Sequence, residues 1–320
     1  MKLFIKKNLL FFLPLALLSY PLDLLISSRL KESNTSLGEY EVWSDIYRGS
    51  IDAEIAIYGS SRAWVHLNPQ IFESKLKKPT YNLGIDGHSF HLQYLRHKEY
   101  FKFNKHPKMI ILSLDVFTLS KRTELYNYSQ FSPYMLWNKT IFDFTSSYKG
   151  FSRLDYFIPL IRYKGEKNFS EHLFESDTSS YRYKGFKGFD RKWNTNLEDA
   201  KKTKTSNYIS VDSNTVKLFK KFIRDVQKEG VRLVFVYTPE YIEGQDFTEN
   251  RGEVISFYSS LSKSYEVPFL NYSDSLLSYR KELFYNTLHL NEKGANIFTE
   301  KFIADLEVLK YLTESKIREK

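Results

Sequence analysis

Two widely separated fragments of this sequence carry the groups that acyl transfer needs. Gly59-Ser60-Ser61-Arg62 places serine at the end of a short β-rich run, and Asn286-Thr287-Leu288-His289-Leu290-Asn291 places histidine just ahead of a long helical stretch. A serine at a strand-to-helix turn exposes its hydroxyl, with the N–H groups and positive dipole of the following helix aimed at it. Histidine with a polar side chain three residues earlier can be oriented to take that hydroxyl's proton. Glycine-rich Asn82-Leu83-Gly84-Ile85-Asp86-Gly87-His88 adds backbone N–H groups able to approach a substrate oxygen closely. Ser113-Leu114-Asp115 adds a polar tip. Each piece also has a plain structural use: a helix N-cap for serine, a backbone-bonded or core position for His289 or His88, an ion pair for Arg62. Their order along the chain favours a shared rim.

That rim needs a scaffold. Residues 53–61, 79–87, 108–116, 231–239 and 268–273 read as strands, and 108–116 is a near-continuous apolar run of the kind buried on both faces. Helical spacing marks 68–76, with Asn68 as N-cap and Pro69 at the first helical position, and also 89–103, 216–230, 254–265 and 291–312. Strands alternating with crossover-length helices predict a three-layer α/β/α domain on a mostly parallel sheet over 51–312, whose ligand site lies beyond the carboxyl ends of the strands. Residues 120–210 break the rhythm and read as an insertion in which aromatic and cationic residues interleave, either a cover or groove for a glycan or a solvated loop.

The 320 residues contain 24 Tyr, 26 Phe and 4 Trp but no Cys, which removes disulfides, thiolate metal sites and cysteine nucleophiles. The histidines show no metal-ligand spacing, and no phosphate-binding or dinucleotide glycine motif is present. No metal or cofactor is therefore expected. Of the formal charge of +9, Lys2, Lys6, Lys7, Arg29 and Lys31 less Asp23 supply four, and the five left over do not call for a nucleic-acid partner.

Residues 9–26, LLFFLPLALLSYPLDLLI, follow three lysines. As a helix they would extend about 27 Å, close to the hydrocarbon thickness of a bilayer. Residues 1–28 are expected to be a signal-anchor or a signal peptide, and 29–50 a linker or first short helix. The basic flank places the remaining chain on the extracytoplasmic side of the membrane, or in secreted form if the segment is cleaved.

The ordered fragments resemble the SGNH (GDSL-type) hydrolases. IYGSSRAW (57–64) is similar to the first block of that family, NLGIDGHS (82–89) to the second, LSLDVF (112–117) falls at the third, and FYNTLHLNEKGA (284–295) is similar to the last. The resemblance implies a flavodoxin-like sheet, Ser61 as nucleophile, His289 as base, Asn286 where the family has Asp, and Gly87 as an oxyanion donor, with Ser60, Arg62, His88 and Asp115 around the pocket. Two departures stand out. Asn286 lacks the usual negative charge, which Asp86, Asp115 or Asp274 would have to supply, and Asp115 stands nearest to where the third block carries an asparagine. The implied activity is a membrane-anchored serine esterase or O-acyltransferase acting on acyl, chiefly acetyl, esters of an envelope polysaccharide, with a membrane acyl donor as partner. A glycan-binding or assembly protein that has lost catalysis is the alternative.

Overall fold

The structure, a computed structural model, describes residues 2–34, 36–164, 181–203 and 206–309. Two compact units divide the chain, one of residues 1–49 and 122–181, the other of residues 50–121 and 182–320.

The second unit is built on five parallel strands, β1 (Ile55–Tyr58), β2 (Thr80–Asn82), β3 (Met109–Ser113), β4 (Arg232–Tyr237) and β5 (Phe269–Asn271), in the order β2-β1-β3-β4-β5. The expected parallel sheet is thus present, with shorter strands than the apolar runs suggested. β1 to β4 are almost wholly buried because helices cover both faces. Side chains alternate across the sheet. Ile55, Ile57, Met109, Ile111, Val234 and Val236 join one core with Phe72, Phe298 and Phe302. On the other face, Tyr58 meets Phe222 and Phe235 meets Phe219, both from the helix Ser213–Lys228. That helix buries Phe219, Phe222, Ile223 and Val226, one stripe at three- and four-residue spacing, and Asp212 caps it by accepting the Thr215 N–H.

This strand order has one topological switch. From β1 the chain runs outward to β2 and then returns to β3 on the opposite side. The first crossover contains α3 (Ser61–His66) and α4 (Pro69–Leu76), the second α5 (Phe90–Phe103). A crevice at the carboxyl ends of β1 and β3 is where open parallel sheets bind ligands, and Ser61 begins the helix directly after β1.

The first unit contains α1 (Lys2–Glu32) and α2 (Glu39–Arg48). Residues 29–50, expected as a linker or short helix, are structured: α2 buries Tyr40, Val42, Trp43 and Ile46, and Trp43 Nε1 donates to Gln130 Oε1 at 3.1 Å. The segment expected as one insertion is divided, since residues 122–181 belong with 1–49 and residues 182–203 with the sheet. Residues 165–180, which hold most of RYKGEKNF, lie outside the described residues. α1 runs unbroken through Pro14 and Pro21. Among the described residues no helix is long and apolar enough to cross a membrane, and many side chains of residues 2–16 fall outside that set.

Candidate active site

The turn after β1 is shaped by Gly59 and Ser60. Gly59 has φ +143°, and a Cβ there would stand 2.8 Å from both the Ala63 Cβ and the Ser113 carbonyl oxygen. Only glycine lets β1 turn this sharply against β3. Ser60 caps α3 by accepting the Arg62 N–H, which leaves Ser61 at the first helical position and half-buried.

The distant histidine reaches this turn. His289 Nε2 lies 2.8 Å from Ser61 Oγ, and His289 Nδ1 lies 3.0 Å from Asn286 Oδ1. The amide orientation of Asn286 is fixed independently of the ring. Its Oδ1 accepts the backbone N–H groups of Leu288 at 3.0 Å and His289 at 2.8 Å, which only an oxygen can do. The imidazole must then carry its proton on Nδ1, so Nε2 is free to accept the Ser61 hydroxyl. Sequence order therefore brought together Ser61, His289 and Asn286 across 228 residues.

His289 is held neutral. Burial, followed by the positive charges of Arg62 and Arg191, lowers its pKa to about 3. Tyr285 stacks on the ring at 5.4 Å and 4° from parallel, and His66 meets it edge-on at 6.1 Å.

In the turn after β2 the first three N–H groups are committed. Leu83 donates to the Ile57 carbonyl, Gly84 to Asn82 Oδ1 and Ile85 to the Gly59 carbonyl. Gly87, at φ +70°, donates to no group among the described residues. Its N–H is open to a ligand.

The remaining expected pocket residues are placed elsewhere. Arg62 is 2% exposed and pairs with Asp115 at 3.0 Å and Glu240 at 2.7 Å, while Arg251 pairs with Glu240 at 3.1 Å. Arg62 also donates to Thr238 Oγ1 at 3.1 Å and to the Thr238 carbonyl, and lies over the Tyr237 ring. Ser60 Oγ donates to Asp115. The Asp115 N–H donates to the Thr118 hydroxyl oxygen at 2.7 Å, and the Asp115 carbonyl accepts the Tyr258 hydroxyl. So Ser60, Arg62 and Asp115 form a buried ionic cluster behind the turn and do not line a pocket, because two guanidiniums and two carboxylates satisfy one another there. Burial pushes the Asp115 carboxyl up, against the pull of Arg62 and Ser60. Burial also opposes the Arg62 charge, yet Glu240 and Asp115 hold its pKa above the ordinary value. His88 is buried, and its carbonyl accepts Gln93 Nε2. Asp274 is exposed and takes the Tyr279 hydroxyl at 2.7 Å, so neither it nor Asp115 provides a carboxylate to His289 Nδ1.

His66 links the cluster to the site and was not singled out by sequence. Its Nε2 accepts the Leu290 N–H at 2.9 Å, so its own proton sits on Nδ1 and is donated to Thr238 Oγ1 at 2.8 Å. Thr238 and Glu240 follow β4, and the rule that sites gather at strand carboxyl ends would have flagged them. Tyr285 and Arg191 carried no such signal.

The sheet order, the serine after the first strand and the histidine ahead of the last helix agree with the α/β layout that the sequence predicts. No family model and no curated protein matches the chain. Among solved structures, similarity extends to an acetyl xylan esterase, at 13% identity and a TM-score of 0.41 over 79% of this chain and 99% of that one. A GDSL-like lipase from Bacteroides thetaiotaomicron is similar at 8% identity and a TM-score of 0.38, over 80% of this chain and 88% of that one.

Proposed function

We propose that this chain is a serine-dependent ester hydrolase or O-acyltransferase, acting on acyl esters, chiefly acetyl, of an extracytoplasmic glycan or envelope polymer. The observation that carries the reading is the 2.8 Å contact between Ser61 Oγ and a His289 Nε2 whose tautomer is fixed for accepting a proton. Ser61 Oγ attacks the ester carbonyl as His289 takes its proton. The Gly87 and Ser61 N–H groups receive the developing oxyanion. Collapse expels the alcohol, which takes the proton back from His289. Water or a sugar hydroxyl, deprotonated by the same imidazole, then releases the acyl group.

A fluorophosphonate probe on the full chain tests this. Labelling lost in Ser61→Ala, together with Ser61-dependent release of acetate from acetylated glycan, is expected. No labelling of a folded chain would sink the reading. One observation favours a second reading, a glycan-binding module without turnover: among the described residues an amide, Asn286, and no carboxylate sits on His289 Nδ1. Glycan binding that survives Ser61→Ala, with no acetate released by the native chain, would support it.

We also propose that α1 anchors the chain in a membrane. Asp23, the only charge within residues 9–26, is 1% exposed and bound by Arg162 at 2.5 and 2.7 Å, with the Leu160 N–H at 2.7 Å. Leu13, Leu17, Leu18, Leu22, Leu24 and Leu25 are exposed instead. Leu17→Asp should move the chain from the membrane fraction to the soluble one; unchanged partitioning of the native chain into the soluble fraction would end the proposal. A membrane acyl donor as partner belongs with the transferase form of the reading.

A further inference from the structure

We propose that Arg191 is the anion anchor of the Ser61 site, so that the ester accepted there bears a carboxylate or phosphate near the scissile group. This rests on the esterase reading above and names the substrate class of the same site.

Residues 182–194 form a strap fastened to both halves of the site. The Lys184 carbonyl accepts the Asn82 N–H at the end of β2, at 2.8 Å, and Lys187 N–H donates to the Trp64 carbonyl in α3, at 3.2 Å. On the histidine side, the Phe189 carbonyl accepts the Glu292 N–H and Asn194 N–H donates to the Tyr285 carbonyl, both at 3.0 Å. Gly185, at φ +80°, is pressed so closely to β2 that a Cβ would fall 1.7 Å from the Asn82 oxygen. The strap's position over the rim is therefore set by main-chain bonds on both sides of Ser61 and His289.

The strap carries Arg182, Lys184, Lys187, Arg191 and Lys192 against one acid, Asp190. Lys184 is neutralised by Glu73 at 2.5 Å, and Arg182 is buried over the Trp64 ring at 4.1 Å. Arg191 differs from both. Its guanidinium covers the Phe189 ring at 4.1 Å and lies 5.7 Å from the Tyr285 ring, and Tyr285 is the ring stacked on His289. The residue is exposed, and among the described residues no carboxylate pairs with it. Aromatic rings hold the guanidinium in place but offer no lone pairs to its five N–H donors, which stay available to a bidentate anion. A built cation without an acid, one ring away from the base, is an arrangement for recognising charge.

The same arrangement answers the absence of a catalytic carboxylate. The charged and titratable groups around His289 are Arg62 and Arg191, with His66 and Tyr285 as further neighbours, and Arg62 is already balanced by Asp115 and Glu240. Arg191 alone stands unbalanced against the imidazolium that forms when Ser61 gives up its proton. An anionic substrate bound on Arg191 cancels that repulsion at the moment the reaction needs it.

The test uses three acetyl esters: a monoacetylated methyl glucuronide with a free carboxylate, its uncharged methyl ester, and a monoacetyl glycerol phosphate. The native chain should prefer an anionic ester over the uncharged one by ~10-fold in kcat/KM, as a charge-assisted hydrogen-bond pair provides. Which anion leads identifies carboxylate or phosphate as the source. In Arg191→Gln the preference should collapse toward one through KM and kcat together, with Arg191→Lys restoring part. A native ratio near one, or a ratio unchanged in Arg191→Gln, overturns the proposal. Calorimetric binding of the matching glucuronide methyl ether to Ser61→Ala separates it from the esterase reading. Binding that needs Arg191 while the native chain shows no turnover keeps the anchor and sinks the esterase. Turnover with binding indifferent to Arg191 does the reverse, and neither binding nor turnover overturns both.

Discussion

Two clusters of titratable groups meet the start of α3, at Arg62 and at Ser61, and they are finished in opposite ways. Behind the helix, Arg62 is closed in by Asp115 and Glu240, and Glu240 by Arg251, so each ion has a counter-ion within 3.1 Å. In front, His289 meets an amide, a hydroxyl and two aromatic or imidazole rings, with no acid on either nitrogen among the described residues. A buried guanidinium cannot lose its charge and so demands carboxylates, whereas an imidazole escapes the cost of burial by staying neutral. The acids of this crevice were spent on the permanent cation. What remains for the histidine is a group that orients it without charging it.

The largest effects should separate the two sites. His289→Ala removes the imidazole that contacts Ser61 and, on the proposed reading, is expected to lower kcat by a factor on the order of 10⁴ or more, as in serine hydrolases. Its melting temperature should stay close to native, because the ring is half-buried at a rim. Equal turnover by native chain and His289→Ala would mean that the site is not where esters are cleaved. Glu240→Gln acts on the other side. It leaves Arg62 and Arg251 short of a counter-ion, and chemical denaturation should show a loss of about 3–5 kcal/mol. Little change in the denaturation midpoint would mean that the cluster is not the closed ionic unit described.

Asn286→Asp blurs the comparison by giving the front site the acid it lacks. In serine proteases the reverse change costs about 10⁴ in kcat, much of it through a wrong tautomer. Here the tautomer is already right, since two backbone N–H groups turn the amide oxygen to the ring. Only the missing charge is restored, so a gain of roughly 10- to 100-fold is expected. The pH profile sharpens the point. With the His289 pKa near 3, the free base persists to low pH and the native acid limb should fall well below pH 6. A carboxylate at position 286 raises that pKa, and the acid limb must move upward. A limb at the same pH in both chains would show that His289 is not the group titrating.

How much of this was legible depended on whether neighbours in space were neighbours in sequence. The buried runs that became β1, β3 and β4 announced themselves because a strand covered on both faces must be apolar throughout. Ser61, His289 and Asn286 stood out because each lies at the junction of a strand or turn with a helix. The destination of Asp115 did not, since a carboxylate at the end of β3 reads equally well as a pocket wall or as a partner for Arg62. That choice was made by Glu240, which is 178 residues from Arg62. The division of residues 120–210 between two units was equally hidden, because it follows from Gln130, Tyr134 and Arg162 finding partners in the N-terminal helices.

His66 tests whether the two sites are one device, and the effect is smaller because it concerns a single proton. It joins them physically: Thr238 Oγ1 takes both its Nδ1–H and the Arg62 Nε–H, and its Nε2 holds the N–H of the residue after His289. Burial and the nearby Arg62 hold its pKa well below the ordinary value, and burial lowers His97, wedged among Tyr58, Tyr94 and Phe222, to about 3. A histidine whose folded pKa is depressed takes up a proton on unfolding wherever pH lies between its folded and unfolded values. Stability is therefore full above about pH 6.5 and declines as pH falls toward 3, by at most about 1.4 kcal/mol per pH unit for each such histidine. Between pH 6.5 and 4.5, before most carboxylates titrate, the slope counts neutral buried histidines, and His97→Phe should reduce it by about one proton. His66→Phe should do the same and also lower kcat, because the Leu290 N–H loses its acceptor and the His289 loop loses its register on Ser61. A slope that falls without any change in kcat would mean that the ionic cluster and the Ser61–His289 pair share a wall but not a mechanism.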